Sequence, residues 1–252
     1  MMAGRLGFLR QIERPNALLL AIGLAVLAAI GWSTSPFGVA MVIGIQLVIG
    51  GIGAVWLVGP IRARYGFARY GTPAVAAVAA TLVGQLLGGP LQLAAIPVVA
   101  GLLLGVIWSE VHLPEGRVPR LAIDLGLVGI VFSVAAGLAV ALPRLSWPPS
   151  LMLVLLATAL PAMRAAELRG RFGVEAVGQA ALHLLAVAQL GAVLALLQLP
   201  GVVGPAILAL GFHAWSGAAE SLDSGAPTRE TAIEFGTLAL LGILVAFLLN
   251  GR

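Results

Sequence analysis

Long apolar segments separated by short loops restrict most strongly what this chain can fold into. A helix needs about 20 apolar residues to cross a bilayer, and nine segments of the 252-residue sequence are close to that length. Hydrophobic residues make up 60% of the chain and charged residues only 10%, whereas soluble domains carry about 25% charged residues. The sequence therefore predicts an all-α polytopic membrane protein with about nine transmembrane helices in a single membrane domain, residues 1–252. The segments are centred on 17–32, 37–59, 73–89, 91–108, 121–142, 149–163, 177–199, 201–216 and 232–249.

The basic residues predict how the chain is oriented. All 14 are arginines, and with nine spans 12 of them fall on one side, leaving only Arg144 and Arg252 on the other. Loops rich in Lys and Arg stay in the cytoplasm. We therefore expect a bacterial-type cytoplasmic membrane, with the N-terminus in the cytoplasm and the C-terminus outside. Because the arginines are scattered among loops and not gathered on one face, we expect membrane lipids and no nucleic acid as partners.

An internal repeat organises the chain into two halves. The sequence Arg62-Ala63-Arg64-Tyr65-Gly66 recurs as Arg169-Gly170-Arg171-Phe172-Gly173, 107 residues later, and the same offset pairs Trp108-Ser109 with Trp215-Ser216. Both copies of the basic loop fall on the predicted cytoplasmic side, so the halves are predicted to be parallel repeats. We expect repeat one at about 15–110, repeat two at about 120–217 and a final helix at about 231–250.

This arrangement resembles the UbiA superfamily of intramembrane prenyltransferases, which have two four-helix halves and a ninth helix. Arg14-Pro15-Asn16 resembles the Arg-Pro signature that opens many members. Residues 108–120, leading into Asp124, resemble the connection between the family's halves, and residues 223–234 resemble its polar approach to the ninth helix. The resemblance implies Mg²⁺-assisted ionisation of an isoprenyl diphosphate, with two Asp-rich motifs at the cytoplasmic ends of helices two and six holding the metal.

Those acidic motifs are missing from the matching positions. No Asp, Asn or Glu lies between Asn16 and Glu110, and the second position offers only Glu167 and Glu175 among arginines. Arginine binds phosphate but not Mg²⁺. We therefore expect a non-catalytic protein that binds an isoprenoid, quinone, pigment or lipid, either alone or with partner membrane subunits. The alternative is a divergent UbiA-type prenyltransferase that transfers an isoprenyl group from its diphosphate to a lipophilic acceptor.

The candidate site residues follow from this interpretation. Four arginines of the repeated loops are candidates for binding an anionic head group, with acidic side chains or a lipid phosphate offsetting their charge: Arg62, Arg64, Arg169 and Arg171. A polar cavity is predicted from Asn16, Asp124, Glu167 and Glu175. No residue is designated as catalytic, no metal site is expected, and Mg²⁺ is a cofactor only if the prenyltransferase alternative holds.

Each of these residues also has a purely structural interpretation. The arginines suit ordinary cytoplasmic loops, and Asp124 suits the first turn of a helix, where anions are favoured and Arg120 lies one turn earlier. His183 and His213 suit hydrogen bonds between helices or, alternatively, ligation of a cofactor metal. The pairs Ala40–Gly44 and Gly50–Ala54 have the spacing that permits close helix packing.

Overall fold

The computed structural model describes residues 3–59, 66–113, 118–141, 147–197, 199 and 201–225, and seven single positions between 229 and 244. These residues form eight α-helices and no strand. A short 3₁₀ turn, Gly84–Leu86, follows the third helix. The helices are α1 (Ala3–Trp32), α2 (Pro36–Val58), α3 (Ala68–Val83), α4 (Pro90–His112), α5 (Arg120–Ala141), α6 (Trp147–Leu168), α7 (Val174–Leu197) and α8 (Val203–Asp223).

Five of these helices, α2, α4, α5, α6 and α7, are long and apolar enough to cross a membrane. The chain is therefore an α-helical membrane protein. The predicted count of nine spans is wrong for the residues that the structure describes. Helix α3 has only 16 residues, and α8 carries His213, Glu220 and Asp223. The apolar part of α1 is limited to Asn16–Trp32, and the predicted ninth segment, 232–249, lies almost entirely outside the described residues.

The chain divides into two compact units, Met1–Pro119 and Arg120–Arg252. In the first unit, α1 and α3 each contact both α2 and α4. In the second unit, α5 and α7 each contact both α6 and α8. Each unit thus has four helices with the same neighbour order, although in the first unit α1 also packs on α3. The division falls between the two predicted repeats.

Close helix packing in the first unit depends on small side chains. A Cβ atom added at Gly50 of α2 would lie 2.7 Å from the Cα of Ala74 on α3, and Ala54, one turn later, is 1% exposed. By contrast, Gly44 has no atom within 4 Å of such a Cβ, and Ala40 is exposed. Of the two small-residue pairs predicted on α2, only Gly50–Ala54 lies in a helix interface.

Buried amide and hydroxyl groups also join three helices of the first unit. Gln46 of α2 is fully buried and donates from Nε2 to the carbonyl oxygen of Leu24 on α1 at 3.3 Å. Thr81 of α3 donates from Oγ1 to Gln46 Oε1 at 2.9 Å. A polar group in an apolar interior is costly unless it is hydrogen-bonded, so these bonds fix the rotation of the three helices about their axes.

Candidate functional site

The charged groups of the second unit gather at one end of its four helices. Helix α6 extends to Leu168, five residues beyond its predicted end, so Arg164 and Glu167 are helical and not part of a loop. Arg164 Nη1 lies 3.2 Å from Glu167 Oε2, and the two side chains are 2% and 1% exposed. Glu167 is therefore an ion-pair partner of Arg164 inside α6.

The basic loop after α6 begins with a tightly closed helix end. The amides of Arg169 and Arg171 both donate to the carbonyl oxygen of Ala166, each at 3.1 Å. Gly170 and Gly173 have φ angles of +84° and +59°, which glycine adopts at little steric cost. This turn directs the chain so that the side chains of Arg169 and Arg171 both reach the last residue of α8.

That last residue, Asp223, is the acidic partner of both arginines. Arg171 Nη2 donates to Asp223 Oδ1 at 2.8 Å, and Arg169 Nε lies 3.7 Å from Asp223 Oδ2. Arg171 also contacts Glu175 Oε2 at 3.4 Å. The hydrogen bond and charge of Asp223 raise the pKa of Arg171. Glu175 thus offsets part of the loop charge as expected, but Asp223, which was not among the candidate site residues, makes the shorter contact.

A cavity of about 50 Å³ lies beside this loop, between α5, α6 and α8. We call it the polar cavity. Six of its lining side chains are polar, and the rest of its wall is formed by Ala165, Leu168 and Gly217. The predicted Asp124 is among the six, whereas Glu167 and Glu175 are not. The polar lining consists of Arg120, Asp124, Arg169, His213, Ser216 and Glu220.

Two polar lining groups lack hydrogen-bond partners within the described part of the chain. Arg169 Nε and Nη2 and Ser216 Oγ are buried and make no hydrogen bond, although Nε keeps its 3.7 Å ion pair with Asp223. The Arg169 side chain is 6% exposed, and this burial lowers its pKa, while the nearby carboxylates oppose the shift. An unmatched buried donor costs about 1–3 kcal/mol, and these groups present hydrogen-bond donors toward the cavity that they line.

The remaining candidates belong to the first unit. Asn16 is exposed on α1 in the first unit, and Arg62 and Arg64 lie outside the described residues. Among the residues that the structure does describe, no three His, Asp or Glu side chains are grouped closely enough to hold a metal ion. Sequence reasoning missed Glu220 and gave Ser216 no role, although the repeated Trp-Ser pair had singled it out.

A second cavity, of about 280 Å³, lies at the opposite ends of the same four helices. We call it the apolar cavity. Among the described residues that line it, Ser150 alone has a polar side chain, and the glycine and alanine residues leave much of its space free. It is lined by Ala135, Leu138, Ala139, Ser150, Leu151, Val154, Gly191, Leu194, Ala195, Leu199, Gly201, Gly204, Pro205 and Leu208.

His183 of α7 lies in the interior between α7 and α8. It is fully buried, its Nε2 donates to the carbonyl oxygen of Phe212 at 3.1 Å, and its ring stacks on Phe212 with centroids 4.1 Å apart. His213, the next residue after Phe212, is exposed and lines the polar cavity. The interhelical hydrogen bond that was one of two interpretations of His183 is therefore present.

Comparisons of the chain with models of known protein families, with curated proteins and with solved structures gave no match.

Proposed function

We propose that this is a non-catalytic membrane protein that binds a lipophilic molecule, an isoprenoid, quinone, pigment or lipid, in the apolar cavity of its second unit. The proposal includes a UbiA-like fold of two parallel four-helix repeats and a ninth helix. It also allows the protein to act as a subunit of a larger membrane complex. The apolar cavity is the observation that carries it.

The size and lining of this cavity suit a hydrocarbon chain. Its volume, about 280 Å³, is near the lower limit of about 300–1,000 Å³ for small-molecule sites, so it holds one end of a long molecule. Its wall is almost entirely aliphatic, and contact with such a wall stabilises apolar groups at about 25 cal/mol for each Å² removed from water. No polar side chain other than Ser150 would select a head group there.

Ligand binding in the apolar cavity can be tested by filling the cavity with a larger side chain. Ala195 of α7 lines the cavity, whereas Val193 on the same helix is 46% exposed and does not line it. Native mass spectrometry of the detergent-purified protein should find a bound lipophile in the wild type, less in Ala195→Phe and an unchanged amount in Val193→Phe. A wild-type protein without a bound lipophile, or equal retention by all three proteins, would contradict the proposal.

The orientation is part of the same proposal. The distribution of 12 and 2 arginines supports a cytoplasmic N-terminus and an outside C-terminus. The matching neighbour order of the two sets of four helices supports a duplicated unit. A reporter fused after Arg252 should be active only on the outer side, and a cytoplasmic signal would exclude this orientation.

Prenyl transfer is the competing function. It requires Mg²⁺-dependent turnover of an isoprenyl diphosphate. Incubation of the purified protein with such a diphosphate, a lipophilic acceptor and Mg²⁺ should leave the diphosphate intact. If inorganic diphosphate is released, and if Glu167→Gln or Glu175→Gln lowers the rate of that release, the protein is a prenyltransferase.

A further inference from the structure

The unmatched groups of the polar cavity identify the kind of atom that this cavity accepts. We propose that the polar cavity binds the carbonyl oxygen of an uncharged molecule, with Arg169 Nη2 and Ser216 Oγ as the two hydrogen-bond donors. Both groups are buried without a partner among the described residues, and both residues line the cavity. A carbonyl oxygen has two lone pairs and donates nothing, so it meets both donors at once.

The charges around the cavity favour a neutral ligand over an anion. Arg120 and Arg169 contribute two positive charges to its wall, and Asp124 and Glu220 contribute two negative ones. Asp223 adds a further carboxylate 3.7 Å from Arg169. A phosphate or carboxylate would thus enter a site whose positive charge is already offset, and it would be repelled by the carboxylates of the wall.

The size of the cavity agrees with a single small acceptor group. Its volume of about 50 Å³ is far below the about 300–1,000 Å³ of sites that enclose a whole small molecule, so it takes one small group of a larger molecule. Arg120, His213 and Glu220 are exposed, so the cavity opens on their side. The rest of the molecule extends outward from this opening.

This site is separate from the apolar cavity, and the inference does not depend on the proposed function. On α5, Asp124 lines one cavity and Ala135 is the nearest lining residue of the other. At 1.5 Å per residue the two positions are about 16 Å apart along α5, and the nearest lining residues on α8, Leu208 and His213, are about 7.5 Å apart. Loss of binding in Ser216→Ala therefore reports on the polar cavity, and loss in Ala195→Phe reports on the apolar cavity.

Three probes with the same tail separate the possible ligands: decyl-benzoquinone with its carbonyls, decyl phosphate with its negative charge, and decylbenzene with neither. Binding to the full-length protein in detergent is measured by calorimetry for the wild type, Ser216→Ala and Ser221→Ala. Ser221 is also on α8 but does not line the cavity. We expect the quinone to bind the wild type most tightly, and Ser216→Ala to weaken it about three- to tenfold. Ser221→Ala should leave it unchanged.

Three results would overturn the proposal. If decyl phosphate binds more tightly than the quinone and depends on Ser216, the cavity is an anion site. If Ser216→Ala weakens the binding of decylbenzene as much as that of the quinone, the substitution acts through packing and not through a hydrogen bond. If no probe depends on Ser216, the cavity holds only water. A thermal unfolding scan without ligand guards against misfolding, since removing an unpaired hydroxyl should not lower the unfolding temperature.

Discussion

Arg171 on the loop after α6 donates to Asp223 at the end of α8 at 2.8 Å, across 52 residues of sequence. The second oxygen of the same carboxylate lies 3.7 Å from Arg169. One acidic side chain therefore holds both arginines of the repeated basic motif and ties the α6–α7 loop to α8. The Arg169 side chain is buried while Arg171 is 40% exposed, so the two ion pairs should differ in their contribution to stability.

The first prediction concerns this carboxylate. Asp223→Asn removes the charge that faces the buried Arg169, and we expect a loss of about 1–3 kcal/mol in the free energy of unfolding, because a buried charged group is left with a weaker partner. Glu175→Gln is the matched control, since Glu175 contacts only the exposed Arg171 and is itself 69% exposed. Thermal unfolding in detergent measures both variants. Equal losses of stability in the two variants would show that Asp223 does not stabilise the buried Arg169.

The second prediction concerns packing between α2 and α3. In Gly50→Ala the new methyl group would lie 2.7 Å from the Cα of Ala74. The backbone of α3 cannot change rotamer as a side chain can, so α2 and α3 must move apart. We expect this to lower the free energy of unfolding by about 1–3 kcal/mol. Gly44→Ala, on the same helix with open space around it, should be neutral or stabilising, since alanine favours a helix by about 1 kcal/mol over glycine. A Gly50→Ala variant that unfolds like Gly44→Ala would rule out this close approach.

The third prediction concerns the buried bond between Thr81 and Gln46. Thr81→Val keeps the shape of the side chain but leaves Gln46 Oε1 without its 2.9 Å donor. We expect a loss of about 1 kcal/mol, in line with interhelical hydrogen bonds in membrane proteins. Thr72→Val is the control, because Thr72 is also buried on α3 but bonds only to Ala68 of its own helix. The double variant Gln46→Leu with Thr81→Val should show non-additive losses, and strict additivity would mean that the two groups are not coupled.

The fourth prediction compares two histidines. His183→Ala removes a fully buried ring that stacks on Phe212 and bonds to its carbonyl oxygen. We expect a loss of about 2–4 kcal/mol from the cavity and the missing hydrogen bond. His213→Ala changes an exposed ring and should leave the unfolding temperature within error of the wild type. If the two variants unfold alike, His183 does not hold α7 against α8.

The amino-acid sequence was sufficient for the membrane class and for most helix positions, because both depend on apolar composition over about 20 consecutive residues. It also singled out Gly50–Ala54 as a close-packing pair. Hydropathy alone predicted nine membrane spans, whereas five helices of the described residues are long and apolar enough to be spans. The short α3 and the polar end of α8 do not meet the length and composition of a span, although an apolar stretch marks each of them.

Local sequence patterns were not sufficient to predict the candidate site. The repeated loop singled out Arg169 and Arg171, and the position of an acid in a predicted span singled out Asp124. Glu175 lies beside the basic loop, where it contacts Arg171. Their actual partners came from another helix: Asp223 for the two arginines, and Ser216 and Glu220 around the polar cavity. A contact across 52 residues depends on how α6 and α8 are rotated and packed, and no local sequence rule specifies that rotation.

The sequence by itself determined that the chain is a membrane protein, roughly where most of its helices lie, and that two similar halves carry the same basic loop. Only the tertiary structure decided which arginine is buried and which acid pairs with it. It also decided that Arg169 and Ser216 present unmatched donors to one small cavity. The physical reason is that hydropathy is a property of each segment, whereas burial and hydrogen bonding belong to pairs of segments and exist only once the helices have packed.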